Sequence, residues 1–480
     1  MHARRTARWI MAAALLSGAS GCGSDDPSAP RPAVYAAYVV LGAGADGSTI
    51  AIARAVVEPG DPVCPTLRRG DRSIAMRLRG NPFGFPVNVC EARVQFERRY
   101  RLSWTGQALP IARRDPSRLA VLGDTGCKSA NCAAGVPAAP FATIAAGIAA
   151  RQPAPQLVIH VGDYDYRGTA SSVPLRGGGS LPVYDAGDNT AHDPQCQLDQ
   201  PYVSQNADYS LNPDSWDYWS EDFFQPAAPL LAAAPWVMVR GNHELCSRAG
   251  PGWFYFLDPN VDASLGGRGE LACPAQGGDA PLPPPVLPYL LFAPPYLLDL
   301  GRLQLAVVDS ANACDSFAPQ RTVDIYTEQL ATVLGAAKPE VPLWLATHRP
   351  VWGVQDESGT PINATLQAAW AAVDSTAPVA LMLAGHIHTF QSLTFDPATP
   401  PRPPQVIVGS SGVALGTAPT GSFSTTIDGG MAEVLGLEEF SSLQVALDRG
   451  DDWNATLIDP SGAELASCAT ANLPGPLCRE

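Results

Sequence analysis

Five short polar turns in this chain carry side chains able to hold metal ions, and each follows an apolar run. Gly123-Asp124-Thr125-Gly126 follows Leu119–Leu122, and Gly162-Asp163-Tyr164-Asp165-Tyr166 follows Leu157–Val161. Gly241-Asn242-His243-Glu244 follows Trp236–Val239. Thr347-His348-Arg349-Pro350 and Gly385-His386-Ile387-His388 follow Leu343–Ala346 and Val379–Leu383. Four of the six histidines beyond residue 21 fall in these turns; His160 and His192 lie outside them. Singly, each signal is weak: a Gly-Asp pair after a strand is often only a turn, and a lone histidine more often packs or caps. Together they offer hard anionic donors suited to Fe³⁺, carboxylate and phenolate, beside imidazoles and an amide suited to Zn²⁺, Mn²⁺ or Fe²⁺. Two such ions about 3.5–4 Å apart can clamp a phosphoryl group and activate water between them.

The runs before these turns are four or five residues long, which suits buried strands. Further apolar runs occur at Leu303–Val308 and Val406–Val408. Helix-like segments at Phe141–Arg151, Trp216–Leu231, Tyr326–Ala337 and Asn363–Val373 separate several of them. This alternation predicts an α/β domain with ligands gathered at strand ends. Trp216, Trp219 and Phe223 share one helix face and are expected to pack in the core. Gly168–Asn212 and Ala263–Pro288 read as long loops, either surface excursions or lids. Leu443–Leu447 and Trp453–Ile458 read as a closing hairpin. Residues 34–115 hold short alternating stretches between Gly/Pro turns and are expected to form a small β-rich domain. That segment has no histidine and no clustered acids, so packing or spacing is its expected role.

In this order, the five turns resemble the D, GD, GNH/D, H and GHxH motifs of the calcineurin-like metallophosphoesterases, over about residues 117–447. Most members place a histidine two residues after the first aspartate, where this chain has Gly126. Tyr166, three residues after Asp163, restores the donor count, and Gly-Asp-x-x-Tyr resembles the purple acid phosphatases, in which the tyrosine binds a ferric ion. The resemblance implies a sandwich of two mixed β-sheets flanked by helices, an α/β (α+β) metallophosphoesterase fold after the β-rich domain. It implies a dinuclear centre with Asp124, Tyr166 and His388 on the first metal, Asp163 bridging, and Asn242, His348 and His386 on the second. The metals implied are Fe³⁺ with Zn²⁺, Mn²⁺ or Fe²⁺. The implied reaction is phosphomonoester hydrolysis by in-line attack of a metal-bound hydroxide. His243, beside a ligand but not counted as one, is placed to bind phosphate or protonate the leaving group, or else to support the ligands. A phosphodiesterase or nucleotide phosphatase would use the same centre, and a binding-only surface lipoprotein would retain the fold without turnover. Plant purple acid phosphatases have a further histidine after the fourth motif; none lies between His348 and His386 here. Arg349 reads equally as a phosphate contact or an ion-pair partner, and Asp165 and Glu244 as possible orienters of ligands.

Export is expected from the N-terminus. Arg4, Arg5 and Arg8 precede the apolar run Trp9–Leu16, which is far short of a membrane span. Ala19-Ser20-Gly21-Cys22 resembles a bacterial lipoprotein cleavage box, implying a signal peptide over 1–21, lipid on Cys22 and a polar tether over 22–33. The expected location is the bacterial cell envelope, periplasm or outer membrane, with the membrane as a partner through that lipid. The catalytic domain is expected over 116–460 and a cysteine-containing tail over 461–480. Eleven cysteines leave ten after Cys22, enough for five disulfides in an oxidising compartment. Spacing favours Cys64–Cys90, Cys127–Cys132 and Cys468–Cys478. Losing three arginines with the signal deepens the formal charge from −15 to −18, which argues against nucleic-acid binding and leaves small phosphoesters as the expected partners. Only Lys128 and Lys338 are lysines, and the arginine excess reads as coding bias.

Overall fold

The apolar strand runs pair into two mixed sheets in a computed structural model of the chain. It describes residues 31–480 except 82–83, 128–138, 168–171, 175–179, 183–213, 246–247, 260–291, 356–360, 375–376, 397–401, 449–451 and 474. The signal segment, Cys22, most of the tether and most of both long loops therefore lie outside the described residues.

The first sheet centres on three parallel strands, Arg118–Leu122, Leu157–His160 and Trp236–Met238. Antiparallel strands Ser442–Leu447, Trp453–Ile458, Glu464–Ala469 and Cys478–Arg479 extend it on one side. On the other, Val34–Ala43 pairs parallel with Trp236–Met238, and Thr49–Val57, Asn88–Val94 and Arg77–Leu78 follow. The second sheet runs Tyr296–Asp299, Gln304–Val307, Leu343–Ala346, Val379–Ala384, Gln405–Val408, Phe390–Phe395, Gly430–Leu437 and Gly421–Ile427.

Strand alternation builds the layers. Leu119, Val121, Leu157 and Ile159 meet Leu305, Val307, Trp344 and Leu383 between the sheets. The opposite-facing Ala120, Leu122 and Val158 pack with Ile144 and Ile148 of helix Ala139–Ala150 and Leu230 of helix Gln225–Ala233. Ala306, Leu345 and Met382 share that outer core with Leu330 of helix Gln320–Gly335 and Leu366 of helix Ala364–Ala372. The result is the expected sandwich flanked by helices. Trp216, Trp219 and Phe223 are all buried, as their spacing predicts.

The β-rich segment over 34–115 is present, but its main strands continue the first sheet across the expected boundary near residue 115. The cause is legible in Val39-Val40-Leu41, apolar and buried at successive positions. A strand apolar on both faces belongs inside a large sheet, not in a small sandwich with a wet face. The tail is likewise absorbed, since Glu464–Ala469 and Cys478–Arg479 add edge strands. Disulfides Cys64–Cys90 and Cys468–Cys478 are present as expected. Cys127 is disulfide-bonded as well, and its expected partner Cys132 lies outside the described residues. Among the described residues, no helix is long and apolar enough to cross a membrane.

Candidate metal centre

The parallel trio delivers Asp124, Asp163 and Asn242 from the first sheet, and two parallel strands of the second deliver His348 and His386-Ile387-His388. Among the described residues, three of the five non-glycine residues at positive φ are candidate ligands: Asp124 (56°), Asp163 (61°) and His386 (73°). Such backbone costs about 1–3 kcal/mol per residue and persists only where surrounding bonds impose it. Those bonds are present. The Asp163, Tyr164, Asp165 and Gly241 amides donate to the Glu244 carboxylate at 3.1, 2.7, 3.2 and 3.0 Å. The His386 amide donates to both Asp124 oxygens, at 3.1 and 2.9 Å. Glu244 is thus the orienter of the Asp163 turn.

The side chains converge on a need for cations. The Tyr166 hydroxyl lies 3.2 Å from Asp124 Oδ1, 3.1 Å from Asp163 Oδ2 and 3.1 Å from His388 Nε2. One hydroxyl proton cannot serve three lone-pair donors. Beside it, His348 Nδ1 is 2.8 Å from the Val161 carbonyl, which can only accept, so Nδ1 carries the proton. That leaves Nε2, which faces Asn242 Oδ1 at 2.9 Å and Asp163 Oδ1 at 3.3 Å, as the nitrogen available to a metal. Asp124, Asp163 and His348 bring ligand atoms within 4.8 Å of one another. Burial and the charge of Asp163 push the Asp124 carboxyl and Glu244 well above the usual range. Burial, with Asp124 and Asp163, pushes the Tyr166 phenol up too. This much buried anionic capacity fits a site built around cations, and the donor set fits two of them.

His386 departs from the others in one respect. Its Nε2 points away, to Asp315 Oδ2 at 2.8 Å and Arg349 Nη1 at 3.0 Å, which leaves Nδ1 as the nitrogen available to a metal. Arg349 Nη1 also bonds Asp315 Oδ2 at 2.6 Å, so the arginine is an ion-pair partner. The remaining Asp315 oxygen accepts from Asn363 Nδ2. Burial pushes Asp315 up, but Arg349 and His386 outweigh it and hold the carboxyl well below the usual carboxylate range. His243 is buried with its ring 3.8 Å from that of Tyr166, and its amide donates to Asp163 Oδ1 at 2.9 Å. His160, outside the motifs, bonds Thr125 Oγ1 and stacks on Tyr164 as a packed core histidine.

Two glycines explain the arrangement. A Cβ on Gly126 would lie 2.6 Å from Tyr166 Cδ2 and 2.5 Å from the Tyr164 carbonyl. The missing histidine and the added tyrosine are therefore one fact: the Tyr166 ring occupies the space a side chain at 126 would enter. Gly162 takes φ 104°, and a Cβ there would sit 2.4 Å from His348 Nδ1.

Sequence reasoning missed the polar cluster after strand Gln304–Val307. Ser310 Oγ accepts from the His348 and Arg349 amides at 3.0 and 2.7 Å, and Asp315 braces His386. The available signal was the run Asp309-Ser310-Ala311-Asn312-Ala313-Cys314-Asp315 at a sixth strand end.

Residues 117–390 match the calcineurin-like phosphoesterase family. The fold is similar to that of a purple acid phosphatase from yellow lupin (Lupinus luteus) seeds. The TM-score is 0.51 at 13% identity, covering 91% of this chain and 74% of that one. No curated protein sequence matches the chain. The family match spans more than half of the chain and includes all five motif turns, so the chain belongs to the calcineurin-like phosphoesterases, a family of metal-dependent phosphoester hydrolases.

Proposed function

We propose that this chain is an exported phosphomonoesterase of the purple acid phosphatase type. The observation that carries the reading is the Tyr166 hydroxyl shared by Asp124, Asp163 and His388. Asp124, Tyr166 and His388 would hold a ferric ion, and Asp163 would face both metals. Asn242, His348 and His386 would hold Zn²⁺, Mn²⁺ or Fe²⁺. When bound, the pair supplies charge neutralisation for the phosphoryl oxygens and an activated water.

The chain's residues set the geometry. Val161 fixes the His348 tautomer, Asp315 fixes which nitrogen His386 presents, and Glu244 fixes the Asp163 turn. Arg349 is engaged with Asp315 and is not needed on phosphate. The His243 imidazole, packed on the Tyr166 ring, is the group placed to give a proton to the departing ester oxygen.

His243→Ala tests this role. Metals should stay, alkyl phosphates should slow by about 10²–10⁴-fold, and an activated aryl phosphate should slow much less. Equal slowing of both would assign the ring to phosphate positioning; metal loss would assign it to the centre's support. Rates on mono- and diester aryl phosphates settle the preference, and faster diester turnover would overturn the monoesterase reading.

The disulfides, Cys64–Cys90 and Cys468–Cys478 among them, support export, and the N-terminal pattern supports export with a lipid on Cys22. A Cys22→Ser variant that still fractionated with membranes would remove the anchor.

A further inference from the structure

Charge is unevenly distributed along this acidic chain. Residues 66–118 carry twelve arginines against four acids, net +8 in a chain whose formal total is −15. Strands Thr66–Arg69 and Arg101–Leu102 pair with Leu67 opposite Leu102 and Arg68 opposite Arg101. Leu67 and Leu102 are fully buried, so the two arginines stand together on the outer face. Like charges directly opposite are destabilising, and an anion beside this exposed pair would relieve that.

Beside the pair lies a pocket of about 370 Å³, lined among others by Arg99, Arg101, Arg113, Arg118 and Gln156. Its arginines are poorly compensated. Arg113 faces the exposed Glu97 at 3.5 Å; Arg118 Nε bonds the Ala154 carbonyl, and Arg101 Nη1 the Gly106 carbonyl, both at 2.9 Å. Among the described residues, Arg68 and Arg99 have no acidic partner. The pocket also has a fixed place in the fold. Arg118, Gln156 and Pro235 sit at the starts of the three parallel strands whose far ends carry Asp124, Asp163 and Asn242. Six residues of extended chain separate Arg118 from Asp124, about 20 Å.

We propose that this pocket is a second anion site, which binds the phosphate groups of a multiply charged ligand at the opposite end of the catalytic strands from the metal centre. Guanidinium forks match phosphate oxygens bidentately, and several around one cavity select more than one charged group. The ligand would also tie Arg99 and Arg101 of the β-rich segment to the bases of the catalytic strands.

The test is calorimetric titration of the metal-loaded protein with methylenebisphosphonate, which cannot be hydrolysed. Wild type should bind one more equivalent than Arg99→Ala/Arg101→Ala, or bind it at least about tenfold more tightly. The probe should also raise the Tm of wild type and not of the variant at concentrations filling that site. Both arginines are exposed, so the variant should keep wild-type turnover of an aryl phosphate, which also checks its folding. The comparison does not require the metal centre to bind the probe. In a second arm, full-length Cys22→Ser protein is mixed with phosphatidylglycerol or phosphatidylcholine vesicles. Arginine-dependent binding to the anionic vesicles would place the phosphate on a lipid headgroup; arginine-dependent binding of bisphosphonate alone would make it a soluble ligand. Identical behaviour of wild type and double variant toward both probes would overturn the proposal.

Discussion

Glu244→Gln removes the acceptor that holds the Asp163 turn. In the native site, one carboxylate oxygen accepts from Tyr164 and Asp165, and the other from Asp163 and Gly241. Glutamine keeps one acceptor oxygen and puts an NH₂ group where the other stood. With the oxygen retained by Tyr164 and Asp165, the Asp163 and Gly241 amides face a donor. A buried amide left without its acceptor costs about 1–3 kcal/mol, so two cost about 2–6 kcal/mol. Asp163, at φ 61°, can recover part of that by relaxing out of the left-handed region, which moves the carboxylate between the two proposed metals. The variant should therefore lose about 2–6 kcal/mol in urea unfolding of the metal-loaded protein, and should lose metal faster on dialysis against a chelator. Stability within about 1 kcal/mol of wild type, with unchanged metal retention, would refute the reasoning that four amide bonds impose the turn.

Two further substitutions probe the same frame. Gly126→Ala should displace the Tyr166 ring, because its Cβ would lie 2.6 Å from Cδ2; a visible absorption band that stays unchanged in the iron-loaded variant would contradict this. Asp315→Asn should cost stability at neutral pH and less in acid. The Asp315 carboxyl is held below its unfolded value by Arg349 and His386 against burial, so its contribution is present above pH about 4 and is lost as pH falls below that. Urea unfolding from pH 7 to 3 should show the gap between wild type and variant narrowing, and a constant gap would remove the ion pair as its cause.

The strands that carry the site were legible because they are two-sided and apolar. Leu343–Ala346 begins and ends where its sequence pattern does, and Leu119–Leu122 and Leu157–Val161 shift by a single residue. Strands with one wet face were harder. Gly421–Ile427, with sequence GSFSTTI, alternates between half-buried and exposed positions and reads as a polar loop. The order of the five turns made their grouping readable, because parallel strands within each sheet deliver their ends to one edge, three turns from the first sheet and two from the second. The braces were not. Glu244 was visible as a neighbour of the site, but that one carboxylate would gather four amides depends on how two turns pack. Asp315 reaches His386 across 71 residues, and spacing along the chain carries no sign of such a contact. The arginines of residues 66–118 looked like composition until strand pairing set Arg68 opposite Arg101.

The central claim is a two-metal centre in which Tyr166 is a ligand. Metal analysis combined with visible absorption of purified wild type and Tyr166→Phe tests it most directly. Wild type should retain about two metal ions per chain, one of them iron, with a phenolate-to-iron band in the visible. Tyr166→Phe should stay folded and lose that band. An iron-loaded wild type without colour, a Tyr166→Phe variant that keeps the band, or fewer than one metal ion per chain after native purification would contradict it.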